Sequence, residues 1–147
     1  MRRSMLVLLG VCVLGPVAGR AQAPAPAPAG DIAVTVSYTT KAAKVDDTHE
    51  IWVFLFDHPN VARGSRPLGT EIVRKNGGTA VFKGVSTQSP VYVLALYDLT
   101  GTYDGNAGPP PPGTPMGMYS ADRKAPTAVK PGAKIKMSFN DARKFGQ

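Results

Sequence analysis

The chain has 147 residues, a formal net charge of +7 and a single cysteine, which allows one small domain and excludes a disulfide framework. Three of the positive charges, Arg2, Arg3 and Arg20, belong to an N-terminal leader, and the rest of the chain carries +4. Its Lys and Arg residues are scattered in small pairs such as Arg74 and Lys75, Arg123 and Lys124, and Arg143 and Lys144. They form no basic stripe with interleaved aromatics, so no nucleic-acid partner is expected.

The chain opens with "MRRSMLVLLGVCVLGPVAGRAQA". Arg2 and Arg3 precede an uncharged apolar run from Met5 to about Val17 and then small residues, the three-part layout of a secretory signal. Gly19 and Ala21 suit cleavage after Ala21, which assigns residues 1–21 to a signal peptide. The apolar run is shorter than the roughly 20 residues of a spanning helix, so no membrane span is expected after cleavage. Cys12 leaves with the leader, and Val11 before it does not fit a lipoprotein signal. Residues 22–30 include "APAPAPAG", whose alternating prolines favour an extended tether. The domain is then 31–147, and its expected location is secreted or periplasmic.

From Asp31 the hydrophobic period is two. In "IAVTVSY" Ile32, Val34, Val36 and Tyr38 share one face, the mark of a half-buried strand. "EIWVFLF" is apolar on both faces and reads as a central strand, with Trp52, Phe54 and Phe56 on one side and Ile51, Val53 and Leu55 on the other. "LGTEIVR", "TAVFKGV", "VYVLALY" and "KIKMSFN" follow, divided by turn signals such as "KNGG" and "KPGA". No window supports a capped amphipathic helix. The pattern predicts an all-β fold, a two-sheet antiparallel sandwich of about seven strands, prealbumin-like or immunoglobulin-like. Trp52 is expected against the inner faces of that sandwich, as core rather than as a sugar platform.

Catalysis is not expected. His49 and His58 are the only histidines and lie nine residues apart at opposite ends of one strand, too far for one metal at ~3.3 Å per residue. Asp57 adjoins His58, but strand neighbours point in opposite directions and form no relay. No Gly-x-Ser-x-Gly elbow is present, and no cysteine remains after the leader.

"TAVFKGV" followed by "SPVYVLALYD" resembles the strand, turn, strand unit of prealbumin-like and carboxypeptidase regulatory-like sandwiches. More narrowly, "YVLALYD", then "GTPMGMYS", then "FNDARKF" is similar in order and spacing to an uncharacterised family of secreted bacterial domains, the domain of unknown function 2141 type. The resemblance spans about Asp31 to Phe145 and implies a β-sandwich, with a loop after the Tyr-led strand that is usually rich in Asp, Asn and Gly.

That loop here is "DLTGTYDGNAGPPPPGTPMGMYS", Asp98 to Ser120, in which Asp98, Asp104 and Asn106 are the candidate ligands of a weak calcium site. Calcium takes about six to eight oxygens, so carbonyls, Thr100, Thr102 and water would have to complete it, and no other cofactor is expected. Pro109 to Pro112 stiffen the segment and exclude a regular strand there. Connections beyond roughly 12 to 15 residues are usually functional or disordered, and Tyr103, Met116, Met118 and Tyr119 offer anchors against disorder. The loop is therefore expected to form an ordered excursion at one end of the sandwich, with Tyr97, Tyr103 and Tyr119 as candidate ligand contacts. Function divides between an exported binding or accessory module for an unknown envelope protein, peptide or glycan, and a structural envelope domain with no small-molecule site.

Overall fold

The computed structural model describes residues 29–41, 44–61, 64–87, 89–105 and 108–147. The expected signal peptide, and all but the last two residues of the expected tether, lie outside the described residues. The first strand, β1 (Ala29–Tyr38), begins just before the Asp31 boundary read from the sequence. Its apolar residues alternate as the pattern requires: Ile32, Val34, Val36 and Tyr38 are buried and the residues between them are half-exposed.

Six more strands follow: β2 (Ile51–Phe56), β3 (Gly69–Val73), β4 (Thr79–Ser86), β5 (Tyr92–Tyr97), β6 (Met116–Met118) and β7 (Lys134–Phe139). They form a two-sheet sandwich, a three-stranded sheet in the order β4-β1-β7 and a four-stranded sheet in the order β3-β2-β5-β6. No helix occurs among the described residues. Six of the strands coincide with the runs read from the sequence. The seventh, β6, lies in the proline-rich excursion and starts four residues past the last of the four consecutive prolines, where backbone N–H groups are again present to pair with β5.

One ladder corrects the expectation of a wholly antiparallel sandwich. β7 runs parallel to β1, with Ala33 opposite Lys134 through to Tyr38 opposite Phe139. A parallel pair needs a long connection between its strands, and here the whole four-stranded sheet intervenes in the chain. At the end of β1 the "KNGG" turn closes the sheet: Asn76 Oδ1 accepts from Tyr38 N–H at 2.9 Å and Asn76 Nδ2 donates to Tyr38 C=O at 2.8 Å, as a further strand residue would.

The principal core fills the space between the sheets. Ile32, Val34 and Val36 of β1, Phe82 of β4 and Met137 and Phe139 of β7 meet Ile51, Val53 and Leu55 of β2 and Val93, Ala95 and Tyr97 of β5. β2 is buried along its whole length on both faces, as its uninterrupted apolar sequence demands. Its second face, with Trp52, Phe54 and Phe56, points away from the other sheet and joins Leu94 and Leu96 in a separate apolar cluster. Trp52 is thus buried, at 7% exposure, but not against the inner faces; that part of the sequence expectation is corrected.

Candidate functional site

A two-layer sandwich supplies cover for only one face of each sheet, so an apolar outer face requires a third layer. Strand register sets out this face in rows. Ile72, Trp52, Leu96 and Met116 lie opposite one another across β3, β2, β5 and β6, and Thr70, Phe54, Leu94 and Met118 form the next row. Beyond β6 the segment after β7 continues the sheet: Met116 N–H donates to Arg143 C=O at 2.9 Å, and Phe145 N–H to Thr114 C=O at 2.9 Å. Pro115 therefore faces Lys144. This pairing places Arg143 beside Met116 at the end of the first row.

The loop after β5 roofs the Trp52 end, and Asp98 holds it down. Asp98 is 4% exposed. Its Oδ1 accepts from Thr100 N–H, Thr100 Oγ1–H and Gly101 N–H at 3.2, 3.1 and 2.9 Å, and its Oδ2 accepts from Tyr103 N–H at 2.9 Å. So anchored, Tyr103 sets its ring edge-on to Trp52, with centroids 5.1 Å apart at 76°. Burial pushes the Tyr103 hydroxyl pKa up, with the neighbouring Asp104 charge adding to it. Gly105 then passes over the indole with φ +72°, where a Cβ would stand 2.6 Å from Trp52 Cζ3, so only glycine fits. Beneath it Trp52 Nε1 is buried with no acceptor among the described residues.

Past this roof a groove of about 1180 Å³ runs over the outer face between walls of other segments. Phe54, Phe56, Leu94, Leu96, Met116 and Met118 line its floor. One wall is built from Pro59–Val61 and Gly64–Pro67, another from the prolines Pro109, Pro110 and Pro112, and a third from the Arg143–Gln147 segment. Arg66, Arg143 and Lys144 line it, and no Asp or Glu side chain among the described residues does. None of these three cations forms an ion pair within the described residues, whereas Arg74 is paired with Glu50 at 2.7 Å and Lys83 with Asp31 at 3.3 Å.

The tyrosines expected to act together are separated. Tyr97 is in the inner core, stacked on Tyr38 at 4.3 Å, and its hydroxyl donates to Lys44 C=O at 3.1 Å. Tyr119 also packs against the inner cluster. Tyr103 alone reaches the groove. The excursion crosses the outer face of the four-stranded sheet rather than projecting from one end, because its Tyr103 and Met116 to Met118 anchors pack there.

Of the calcium candidates, Asp98 spends both oxygens on the loop's own donors, Asp104 is exposed and engaged in an interaction of its own, and Asn106 lies outside the described residues. No group of three or more His, Cys, Asp or Glu side chains placed to hold a metal occurs among the described residues.

A further correction concerns His58. β2 ends at Phe56, so strand alternation no longer separates Asp57 from His58, and Asp57 Oδ1 meets His58 Nδ1 at 2.5 Å. His58 Nε2 contacts Ser65 Oγ at 3.2 Å. The order of atoms is that of a serine, histidine, aspartate relay, but the Asp57 and His58 side chains are 61% and 42% exposed. The carboxylate of such a relay is buried so that it holds and stabilises an imidazolium, and this one is screened by water. The hydrogen bond to His58 lowers the Asp57 pKa. The three residues act as a pin that ties the Ser65 wall of the groove to the end of β2.

No protein-family model, curated protein or solved structure matches this chain. The site therefore stands on its own chemistry: an aromatic and aliphatic floor, walls held by backbone pairing and by Asp98, and a cationic rim. Of the floor residues, Met116 and Met118 were read from the sequence only as loop anchors and Phe54 and Phe56 only as one face of a central strand; none was read as a site residue. Their signal was the second apolar face of "EIWVFLF", which has no place in the inner core.

Proposed function

We propose that this chain is an exported, non-catalytic binding module of the bacterial envelope, and that its ligand site is the groove on the outer face of the four-stranded sheet. One observation carries the reading: six apolar side chains floor a groove of about 1180 Å³ outside the principal core, framed by three separate chain segments. Small-molecule sites are concave, mostly apolar and roughly 300 to 1,000 Å³, and this groove has that character with some room to spare. The leader supports export, and the short motifs shared with secreted bacterial sandwich domains support an envelope setting.

The competing reading, a structural envelope domain, takes the outer cluster as a second core and nothing more. An apolar fluorescent probe separates the two. Binding to the groove predicts saturable enhancement with the folded protein and its loss in Met118→Asp, which puts a carboxylate into a half-buried floor position. Equal enhancement by the parent and by a Met118→Asp protein of unchanged far-ultraviolet circular dichroism would favour the structural domain. Export is checked by mass spectrometry of the mature protein, expected to begin at Gln22.

A further inference from the structure

The rows of the groove floor have a direction and a charged end. Phe56, Phe54 and Trp52 follow one another along β2, and Leu94 and Leu96 along β5. Side chains on one face of a strand repeat about every 6.6 Å, so the floor from Phe56 to the Trp52 row is roughly 13 Å long. At the far corner the Met116 row ends in Arg143, followed by Lys144. Arg66 stands on the facing wall.

Resting on the binding reading above, we infer that the groove takes a single-chain anionic amphiphile, an unbranched acyl carboxylate. Its chain lies on the Phe54, Phe56, Leu94, Leu96 and Met118 floor and its head lies at Arg143. Three features carry this. The floor is apolar, so a glycan or peptide would leave many polar groups without partners there, at a cost an alkyl chain does not incur. Met116 and Met118 are unbranched and adaptable, suited to a chain without fixed shape. Among the described residues the cations of the rim form no ion pair and no acidic side chain opposes them, and a guanidinium donates two parallel N–H bonds to a carboxylate. The source is a free monomer rather than a bilayer: Phe54, Phe56, Leu94 and Leu96 are all 6% exposed or less, so the floor is recessed beneath its walls, beyond the reach of a membrane surface.

The test is calorimetric titration of the full chain with octanoate, decanoate, dodecanoate and tetradecanoate, each below its micellar concentration, beside dodecanol and dodecyltrimethylammonium. Affinity should rise roughly fivefold for each two added methylenes, about a third of the roughly 15-fold that full burial at ~0.8 kcal/mol per CH₂ would give. Dodecyltrimethylammonium should bind at least about tenfold more weakly than dodecanoate. Arg143→Gln should weaken dodecanoate about five- to tenfold and leave dodecanol unchanged, while Lys134→Gln on β7 of the other sheet should change neither. Equal affinity for all three head groups, or dodecanoate binding indifferent to Arg143→Gln, overturns the anionic assignment while the groove survives as an apolar site. Affinity independent of chain length overturns it as well, leaving surface electrostatics alone. Capture by anionic phospholipid vesicles without monomer binding overturns the choice of source. Binding of none of the amphiphiles overturns both this inference and the groove reading on which it rests.

Discussion

Trp52 is the point at which fold and groove meet, and two substitutions there separate packing from hydrogen bonding. Trp52→Ala removes an indole that is 7% exposed, packed beside Phe54 and beneath Tyr103 and Gly105. Such truncations cost about 3 to 5 kcal/mol, a large share of the 5 to 15 kcal/mol typical of a whole domain. Trp52→Phe keeps an aromatic body and deletes the Nε1–H that has no acceptor. Relief of an unsatisfied buried donor, about 1 to 3 kcal/mol, then offsets the smaller ring, and the net change should stay within about 1 kcal/mol. Gly105→Ala should be strongly destabilising in the parent, where its Cβ meets the indole, and less so in Trp52→Ala, where the space is free. Urea denaturation followed by far-ultraviolet circular dichroism measures all of these; fluorescence does not serve, since Trp52 is the sole tryptophan. A Trp52→Ala protein as stable as the parent would refute the roofed outer face. Equal losses in Trp52→Phe and Trp52→Ala would show that the indole N–H is bonded after all.

Asp98→Ala should cost about 2 to 4 kcal/mol, because it strands the Gly101 and Tyr103 N–H donors, and Asp98→Asn should cost less because one acceptor oxygen remains. Millimolar calcium should leave the melting temperature of the parent unchanged; a rise of several degrees would make Asp98 or Asp104 a ligand. Tyr38 has its pKa pushed up to about 12, first by burial and then by its hydrogen bond to Asp141. A raised folded-state pKa stabilises the protonated form, so this contribution is complete below the unfolded value near 10 and is lost as pH rises toward 12. Tyr38→Phe should therefore narrow its stability gap to the parent by on the order of 2 kcal/mol between pH 9.5 and 12, measured by urea titration; a constant gap would contradict the assignment. Gly117→Ala should cost about 1 to 3 kcal/mol, since its Cβ would fall 2.4 Å from Phe139 Cβ where β6 packs against β7.

Apolar patterning was enough to place six strands and the inner face of β1, because alternation and burial are the same physical fact in a half-buried strand, but in the doubly apolar β2 it gave no means of telling the inward Ile51, Val53 and Leu55 from the outward Trp52, Phe54 and Phe56. β6 escaped because three residues, Met116 to Met118, are too few to show a period and follow a proline run that argues against a ladder. The parallel pairing of β1 and β7 has no local signature at all, since it depends on where the long connection delivers the last strand. The outer cluster was partly legible. A run such as Ile51 to Phe56 with no polar face cannot be satisfied by two layers, and the excursion after β5 was the segment long enough to supply the third. What the residues could not reveal was which tyrosine would do so. Tyr97, Tyr103 and Tyr119 look alike in the sequence, and only strand register separates the two that pack inward from the one that covers Trp52. Asp98 was read for its charge, whereas its position after a strand and before Thr100 and Gly101 is that of an Asx turn, which consumes the carboxylate locally. Asp57 and His58 were read with strand alternation that stops one residue earlier, at Phe56.

The claim that matters most is that the outer face of the four-stranded sheet, and not the space between the sheets, receives a ligand. The methionines give a direct reading of both: Met116 and Met118 line the groove, while Met137 is buried in the inner core. With the methionine ε-methyl groups labelled with carbon-13, titration with dodecanoate should shift the Met116 and Met118 signals saturably and leave Met137 in place. Unmoved Met116 and Met118 signals, or a Met137 signal that moves together with them, would contradict the account.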